Sequence, residues 1–255
     1  QKISAAEGMA DVFLSANVMC HIPDILSVAK GIRLLLKPNG LLMFEDPYLG
    51  SMIEKTSYDQ IYDEHVFLFS AHSVRALFQK VGLELISVDP QPTHGGSMRY
   101  RLAHRGSYEV DSSVAGILEK EKTLGLDRLA GFEEFTGKVK KSKKDLVNLL
   151  IELKNRGLRV AGYAATSKST TILNYCQIGP DLITSIYDTT PLKQGKFSPG
   201  MHIPIRPYEE FFRDKPDYAI LFAWNHAEEI MAKEKAFMEQ GGKWITHVPE
   251  VRVIG

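Results

Sequence analysis

The feature that most constrains the fold of this chain is a regular alternation of short apolar runs with amphipathic segments. Residues 11–15 and 41–45 are predicted to be buried strands, and an amphipathic stretch over 25–36 separates them. Residues 83–88 and 97–103 are predicted to be paired strands, with Ser70 capping the helix that precedes them. Strands that alternate with helices form parallel sheets through crossover connections, so the sequence predicts an α/β fold.

The second half of the chain repeats this pattern after a change in composition. Residues 113–156 are rich in Lys, Glu and Leu, which predicts one or two long helices. Beyond them we predict strands at 158–161, 182–187, 218–222 and 244–248, and helices at 169–176 and 227–240. The expected organisation is therefore the later half of a Rossmann-like sheet in 1–107, a helical connector over 108–156, and a second Rossmann-like α/β domain over 157–255.

Composition excludes several classes of protein. The 255 residues are 44% hydrophobic and 24% charged, which is typical of a soluble globular protein. Lys plus Arg and Asp plus Glu number 31 each, so no net charge favours a nucleic acid or a membrane as partner. The two cysteines, Cys20 and Cys176, form no Cys-x-x-Cys pair, which argues against a disulfide framework or a thiolate zinc site and favours a reducing cytoplasm.

One short segment concentrates groups that exchange protons. Residues 58–65 contain two tyrosines, two aspartates, a glutamate and a histidine. A phenol, a carboxylate and an imidazole together can accept, donate and orient a proton, so we interpret this segment as a candidate catalytic loop. Neighbouring residues point apart in regular structure, so convergence would need an irregular loop, and a helix start remains the structural alternative.

Other histidines are weaker candidates. His21 follows the first predicted strand, at the sheet edge where α/β folds bind ligands. His94 precedes two glycines, which favours a turn, and His226 and His247 are interpreted as structural or capping residues.

A second candidate site is the segment 162–170, which lies between a predicted strand and a predicted helix. It combines small residues, hydroxyls and Lys168, and its backbone N–H groups could bind a phosphate. Asp188 follows about 25 residues later, near where dinucleotide folds place a ribose-binding carboxylate. Neither Gly-x-Gly-x-x-Gly nor the Walker pattern is present, so an ordinary α/β turn stays a valid alternative.

Several ordered motifs together resemble one family. They are Cys20-His-Ile-Pro, Phe44-Glu-Asp-Pro-Tyr-Leu-Gly, Asp59-Gln-Ile-Tyr-Asp-Glu-His, His94-Gly-Gly, Gly162-Tyr, Asn174-Tyr-Cys-Gln-Ile-Gly-Pro-Asp, Tyr187-Asp-Thr-Thr-Pro and Ala223-Trp-Asn-His-Ala. These resemble the S-adenosylmethionine (SAM)-dependent C-methyltransferases that act on nucleotide-linked 4-keto-deoxysugars, particularly those that methylate carbon 3 in antibiotic sugar pathways. The resemblance covers nearly the whole chain.

The resemblance implies that residues 1–107 are the C-terminal half of a methyltransferase domain. In the family, a zinc unit with four cysteines and the glycine-rich cofactor turn come earlier in the chain. Since this sequence contains neither, we expect a truncated chain or fragment that binds SAM weakly or not at all, with zinc confined to the absent portion.

The resemblance also implies roles for individual residues. His65 matches the proposed base, Tyr62 and Glu64 match its active-site companions, and His21 matches a further active-site histidine. Asn17 is expected near the cofactor, and the residues expected on the nucleotide-sugar side are Tyr163, Ser167, Lys168 and Asp188. The implied protein is a cytoplasmic monomer acting on a dTDP-sugar. The alternatives are a nucleotide-sugar-binding module without catalysis and an inactive product.

Overall fold

The computed structural model describes residues 2–255, apart from the side chain of Ser4. The chain forms two compact units. The N-terminal unit contains residues 2–54 and 63–133, and the C-terminal unit contains 55–62 and 134–255. The boundary between Tyr62 and Asp63 therefore divides the candidate catalytic segment. A division into functional domains at 107 and 156 stays a prediction, because compactness alone does not define such domains.

Helices and strands alternate along most of the described chain. The helices are α1 (Lys2–Glu7), α2 (Ile25–Leu35), α3 (Leu49–Lys55), α4 (Ala71–Gln79), α5 (Ser112–Thr123), α6 (Leu129–Asn155), α7 (Ser167–Cys176), α8 (Glu210–Asp214), α9 (Ala227–Lys233) and α10 (Lys235–Glu239). The strands are β1 (Ala10–Ala16), β2 (Leu36–Pro47), β3 (Leu83–Gln91), β4 (Ser97–His104), β5 (Val160–Tyr163), β6 (Ile186–Asp188), β7 (Ile205–Pro207), β8 (Tyr218–Leu221), β9 (Lys243–Thr246) and β10 (Arg252–Ile254).

The N-terminal unit is built on a four-stranded sheet in the order β1-β2-β4-β3. Strands β1 and β2 are parallel, while β4 runs antiparallel to both β2 and β3, as expected for the predicted strand pair. Asp24 caps α2, and Ser70 caps α4 in a capping box with Ser73, which confirms the predicted start of α4. Phe44 and Tyr100 stack in the core at a ring distance of 4.9 Å.

Among the described residues, strand β1 pairs only with β2 and is an edge of this sheet. Its apolar side chains Val12 and Leu14 are 48% and 69% exposed. Exposed apolar edges of this kind tend to pair with another strand. None of the described helices is both long and apolar enough to cross a membrane.

The C-terminal unit is built on a six-stranded sheet in the order β10-β9-β8-β5-β6-β7. The first strand, β5, lies between β6 and β8, which is the Rossmann arrangement with a switch point between β5 and β8. All pairings are parallel except that of β10, an unpredicted antiparallel strand. Gly162 is required in β5, because a Cβ there would lie 2.6 Å from the Phe222 ring. The two sheets and their helices confirm the predicted α/β class.

The prediction of one continuous helix over 227–240 was wrong in one respect. The segment is divided at Glu234 into two helices, α9 and α10. Glu234 is fully buried and accepts hydrogen bonds from the hydroxyls of Tyr163 (2.6 Å) and Tyr208 (2.7 Å). A periodic pattern does not reveal this interruption, because the inward turn depends on hydroxyls from two distant segments.

Candidate active site

The carboxyl ends of β1 and β2 carry the first group of predicted site residues. Asn17 follows β1 in a left-handed conformation (φ 54°), and its N–H donates to the Glu45 carbonyl at 2.8 Å. A short 3-10 turn over Met19–His21 comes next; it buries Met19 and Cys20 and leaves His21 half-buried. Local backbone geometry thus places the exposed Asn17 and the half-buried His21 near the carboxyl edge of the sheet, where α/β folds bind ligands.

The structure brings His21 and His65 together, although they are 44 residues apart in the sequence. The Phe67 N–H donates to the Cys20 carbonyl at 3.1 Å, which holds the segment after His65 against the turn. The two imidazole rings meet edge to face, with their centroids 5.3 Å apart and their planes at 78°. Two imidazoles at this distance can accept a proton from one small ligand and donate a proton to it.

Cys20 and Asp46 form the buried floor of this site. Asp46 is fully buried at the end of β2, and none of the described residues makes a hydrogen bond of normal geometry to either carboxylate oxygen. Burial raises the pKa of Asp46 to about 6, against the opposing influence of the nearby Cys20 thiol and N–H and of His21. Burial and the Asp46 charge likewise raise the pKa of the Cys20 thiol well above its ordinary value, so the thiol is a poor nucleophile.

Sequence reasoning missed both residues of this floor. The signal for Asp46 was its position at the carboxyl end of a predicted strand. Cys20 had no such signal, because its partners come from separate segments.

The other two predicted members of the catalytic loop are placed separately. Glu64 is exposed in the N-terminal unit, next to His65 in the chain. Tyr62 is half-buried and belongs to the C-terminal unit. The roles of His65, Tyr62, Glu64, His21 and Asn17 stay predictions.

In the C-terminal unit, Asp188 organises the loop that follows β5. Its carboxylate accepts the N–H groups of Ala165 and Thr190, each at 2.7 Å. Burial alone would raise the pKa of Asp188, but hydrogen bonds from Thr190 and Ala165 and the nearby Lys193 outweigh it and lower that pKa. The carboxylate assigned to a ribose is therefore engaged in shaping the loop.

The remaining predicted substrate contacts differ in their exposure. Ser167 is exposed in the first turn of α7, whereas the buried Tyr163 donates its hydroxyl to Glu234. Lys168 is only 9% exposed; its ammonium donates to the Asn225 side chain at 2.8 Å and lies 5.1 Å from the Trp224 ring centre. Burial lowers the pKa of Lys168, with Asp59 opposing.

A cavity of about 320 Å³ lies beside the start of α7. Its lining includes Thr166, Ser167, Lys193, Lys196 and Phe197. Hydroxyls, two cations and a helix N-terminus together suit an anionic ligand. Lys193 and Lys196 were not singled out from the sequence, because they lie in a loop without a recognisable motif.

A buried network anchors the segment 58–61 within the C-terminal unit. Asp59, fully buried, accepts a hydrogen bond from the Trp224 indole at 2.6 Å and contacts His247 Nε2 at 3.1 Å. Nearby, Thr171 donates its hydroxyl to the Ile61 carbonyl at 3.2 Å. Asp59 lies in the segment that we interpret as catalytic, but its contacts are buried and structural. Its partner His247 is a residue that we interpret as structural or capping.

Comparison with known proteins identifies two matching family segments in this chain. Residues 92–249 match the family described as C-methyltransferase C-terminal domain, and residues 1–88 match a methyltransferase domain family. The C-methyltransferase NovU of Streptomyces niveus is 36% identical over 255 residues, which is 100% of this chain and 61% of that protein. The chain therefore spans about three fifths of the length of this curated relative.

Two solved structures to which the chain is similar match it only weakly. A pericyclic-reaction enzyme is 13% identical, with 38% of this chain and 27% of that chain covered at a TM-score of 0.33. A LepI complex with SAM is 14% identical with the same coverage and a TM-score of 0.32. Likenesses this weak support no inference. The C-methyltransferase C-terminal domain family, in contrast, matches more than half of the chain, and the chain therefore belongs to the C-methyltransferase family.

Proposed function

We propose that this chain carries the proton-abstracting site and the substrate-binding unit of a SAM-dependent C-methyltransferase that acts on a dTDP-linked 4-keto-deoxysugar. The observation that carries the proposal is the pairing of the His21 and His65 imidazoles at 5.3 Å beside the carboxyl ends of β1 and β2. The family membership supports the reaction class. The choice of a deoxysugar of the kind found in antibiotic pathways as the substrate rests on the motif resemblance.

The chemistry follows from the acidity of a hydrogen beside a ketone. His65 removes this proton as the neutral imidazole, and the electron pair of the broken C–H bond moves onto the ketone oxygen as an enolate. His21 donates a hydrogen bond to that oxygen, and Glu64 holds a sugar hydroxyl or amine. The buried Asp46 carboxylate would stabilise the imidazolium that forms on this histidine pair.

SAM, when bound, supplies the methyl group that the nucleophilic carbon accepts. Of the described residues we assign only Asn17 to this cofactor, since its exposed side chain lies at the end of β1. Weak binding of SAM by this chain alone stays a prediction.

Within the C-terminal unit, the cavity at the start of α7 is our proposed binding site for a nucleotide diphosphate. Ser167 and Thr166 offer hydroxyls there, and Lys196 offers positive charge. The Lys193 ammonium also lines the cavity, but it donates to the Ala165 carbonyl at 2.8 Å and lies 3.5 Å from the Asp188 carboxylate. The buried Lys168 would act indirectly, because its ammonium is held by Asn225.

The direct test is hydrogen exchange at carbon 3 in the full-length enzyme. His65→Ala should slow exchange of this hydrogen with solvent deuterium by at least about 100-fold, since positioned general bases contribute roughly 10²–10⁴-fold. Substrate affinity should change little. The control is His226→Ala, because the His226 side chain is 59% exposed in the C-terminal unit and lies outside both candidate sites. Unchanged exchange in His65→Ala would remove His65 as the base.

A nucleotide-sugar-binding module without catalysis is the second candidate. It is favoured by a cavity whose described lining lies entirely in the C-terminal unit. Isothermal titration of this chain with a dTDP-sugar, without SAM, tests the module: binding that is lost in Lys196→Ala supports the assigned cavity. Tight binding of SAM to this chain would contradict the expected incomplete cofactor site.

A further inference from the structure

Cys20, His21 and His65 form a group of metal-type ligands. One atom from each, the Cys20 sulfur and one ring nitrogen of each histidine, lies within 4.8 Å of the other two. A thiolate and two imidazoles form a ligand set that favours zinc, cobalt or copper over magnesium or calcium. We propose that this group binds one divalent transition-metal ion, and that the bound ion inhibits the methyltransferase by occupying His65. The inhibitory part rests on the proposed function.

The geometry requires only a small contraction. In a tetrahedral zinc site the ligand atoms are roughly 3.4–3.6 Å apart, given typical Zn–S and Zn–N distances. The upper limit of 4.8 Å exceeds this range by about 1.2–1.4 Å. His21 and His65 are only half-buried, so rotation of their side chains can close the gap while the buried Cys20 stays in place. Three protein ligands also leave a fourth position for water, as in open zinc sites.

The charge around the group also suits a dication. Asp46, fully buried and without a normal hydrogen bond, lies against Cys20 and His21. Binding breaks the Cys20 S–H bond, releases its proton to solvent and forms a metal–sulfur bond and two metal–nitrogen bonds, with no change of oxidation state. The thiolate and the Asp46 carboxylate together offset the two positive charges of the ion.

The sequence conceals this site because two of its ligands are adjacent and the third comes 44 residues later. Spacing of this kind matches no zinc motif, and the two cysteines argued against a thiolate site. The contact between Phe67 N–H and the Cys20 carbonyl assembles the group.

Inhibition would follow because the metal occupies the lone pair of a His65 ring nitrogen. A ring nitrogen of His65 that binds a metal has no lone pair left to accept a proton from the substrate. Excess metal should therefore slow exchange at carbon 3, and a chelator should restore it.

The test is a Co²⁺ titration of this 255-residue chain followed by absorption spectroscopy. We expect one equivalent of Co²⁺ to produce a thiolate-to-cobalt charge-transfer band in the near ultraviolet. The band should disappear in Cys20→Ser and persist in Cys176→Ser, since Cys176 is the other cysteine and is not part of the group. His65→Gln should weaken binding at least about tenfold, and Asp46→Asn by about 10–100-fold, as for other groups that support metal ligands. His226→Ala should have no effect.

Each outcome is decisive. No band in the unmodified chain, a band that survives in Cys20→Ser, or equal loss in Cys176→Ser would overturn the metal site. If Cys20→Ser does not fold by circular dichroism, His21→Gln with His65→Gln takes its place, and an unchanged band would show an adventitious ion only. Failure of Co²⁺ binding leaves the exchange experiment with His65→Ala untouched, so the two proposals fall separately.

Discussion

Asp59 offers the sharpest test of how the C-terminal unit holds the segment 58–61. Asp59→Ala would leave two fully or partly buried donors, the Trp224 indole N–H and the His247 Nε2 group, without their acceptor. Each such loss costs about 1–3 kcal/mol, so we expect the free energy of unfolding to fall by about 4 kcal/mol. Asp59→Asn can keep an oxygen at the Oδ2 position that both groups contact, but it loses the charge and buries an amide NH2 at the other position, so about 1–2 kcal/mol is expected.

Tryptophan fluorescence reports the unfolding of the C-terminal unit, to which Asp59 belongs. The chain has two tryptophans, Trp224 and Trp244, and both belong to the C-terminal unit. With a urea slope of about 2 kcal/mol/M, Asp59→Ala should lower the urea midpoint by about 2 M. The control is Asp63→Asn, an exposed aspartate four residues later. A midpoint for Asp59→Ala that equals the control would refute the buried network, and so would an Asp59→Asn loss as large as that of Asp59→Ala.

Two further predictions concern other buried carboxylates. Glu121, only 2% exposed, accepts the first N–H groups of α4 at 2.6 and 2.9 Å, so Glu121→Ala should destabilise the N-terminal unit by about 3 kcal/mol. Amide hydrogen exchange of α4 checks this, and unchanged protection would contradict the cap. For Asp188, whose folded pKa is lowered, the stabilisation is fully present above the ordinary carboxyl pKa and is lost as pH falls through the folded value. Asp188→Asn should therefore cost about 2 kcal/mol at pH 7 and progressively less below pH 4, and a pH-independent loss in urea titrations would exclude a role for the charge.

The elements of secondary structure were largely predictable from the sequence. The strand pair β3 and β4, the cap of α4 at Ser70 and the helices within 113–156 all follow from patterns over a few residues. Such patterns reflect local backbone preferences and one-sided burial, which neighbouring residues determine. The division at Glu234 was not predictable, because it depends on Tyr163 and Tyr208, which are 71 and 26 residues away in the chain.

The sequence alone determined the α/β class and the residue types available for proton transfer, because these depend on periodicity and side-chain chemistry. Only the tertiary structure decided which of them meet. It paired His21 with His65, buried Asp46 beside Cys20, and joined Asp59 to His247 across 188 residues. The physical reason is that side-chain convergence depends on long-range packing of separate elements. Thus one acidic segment, 58–65, supplies a buried structural carboxylate from Asp59 and a candidate base from His65.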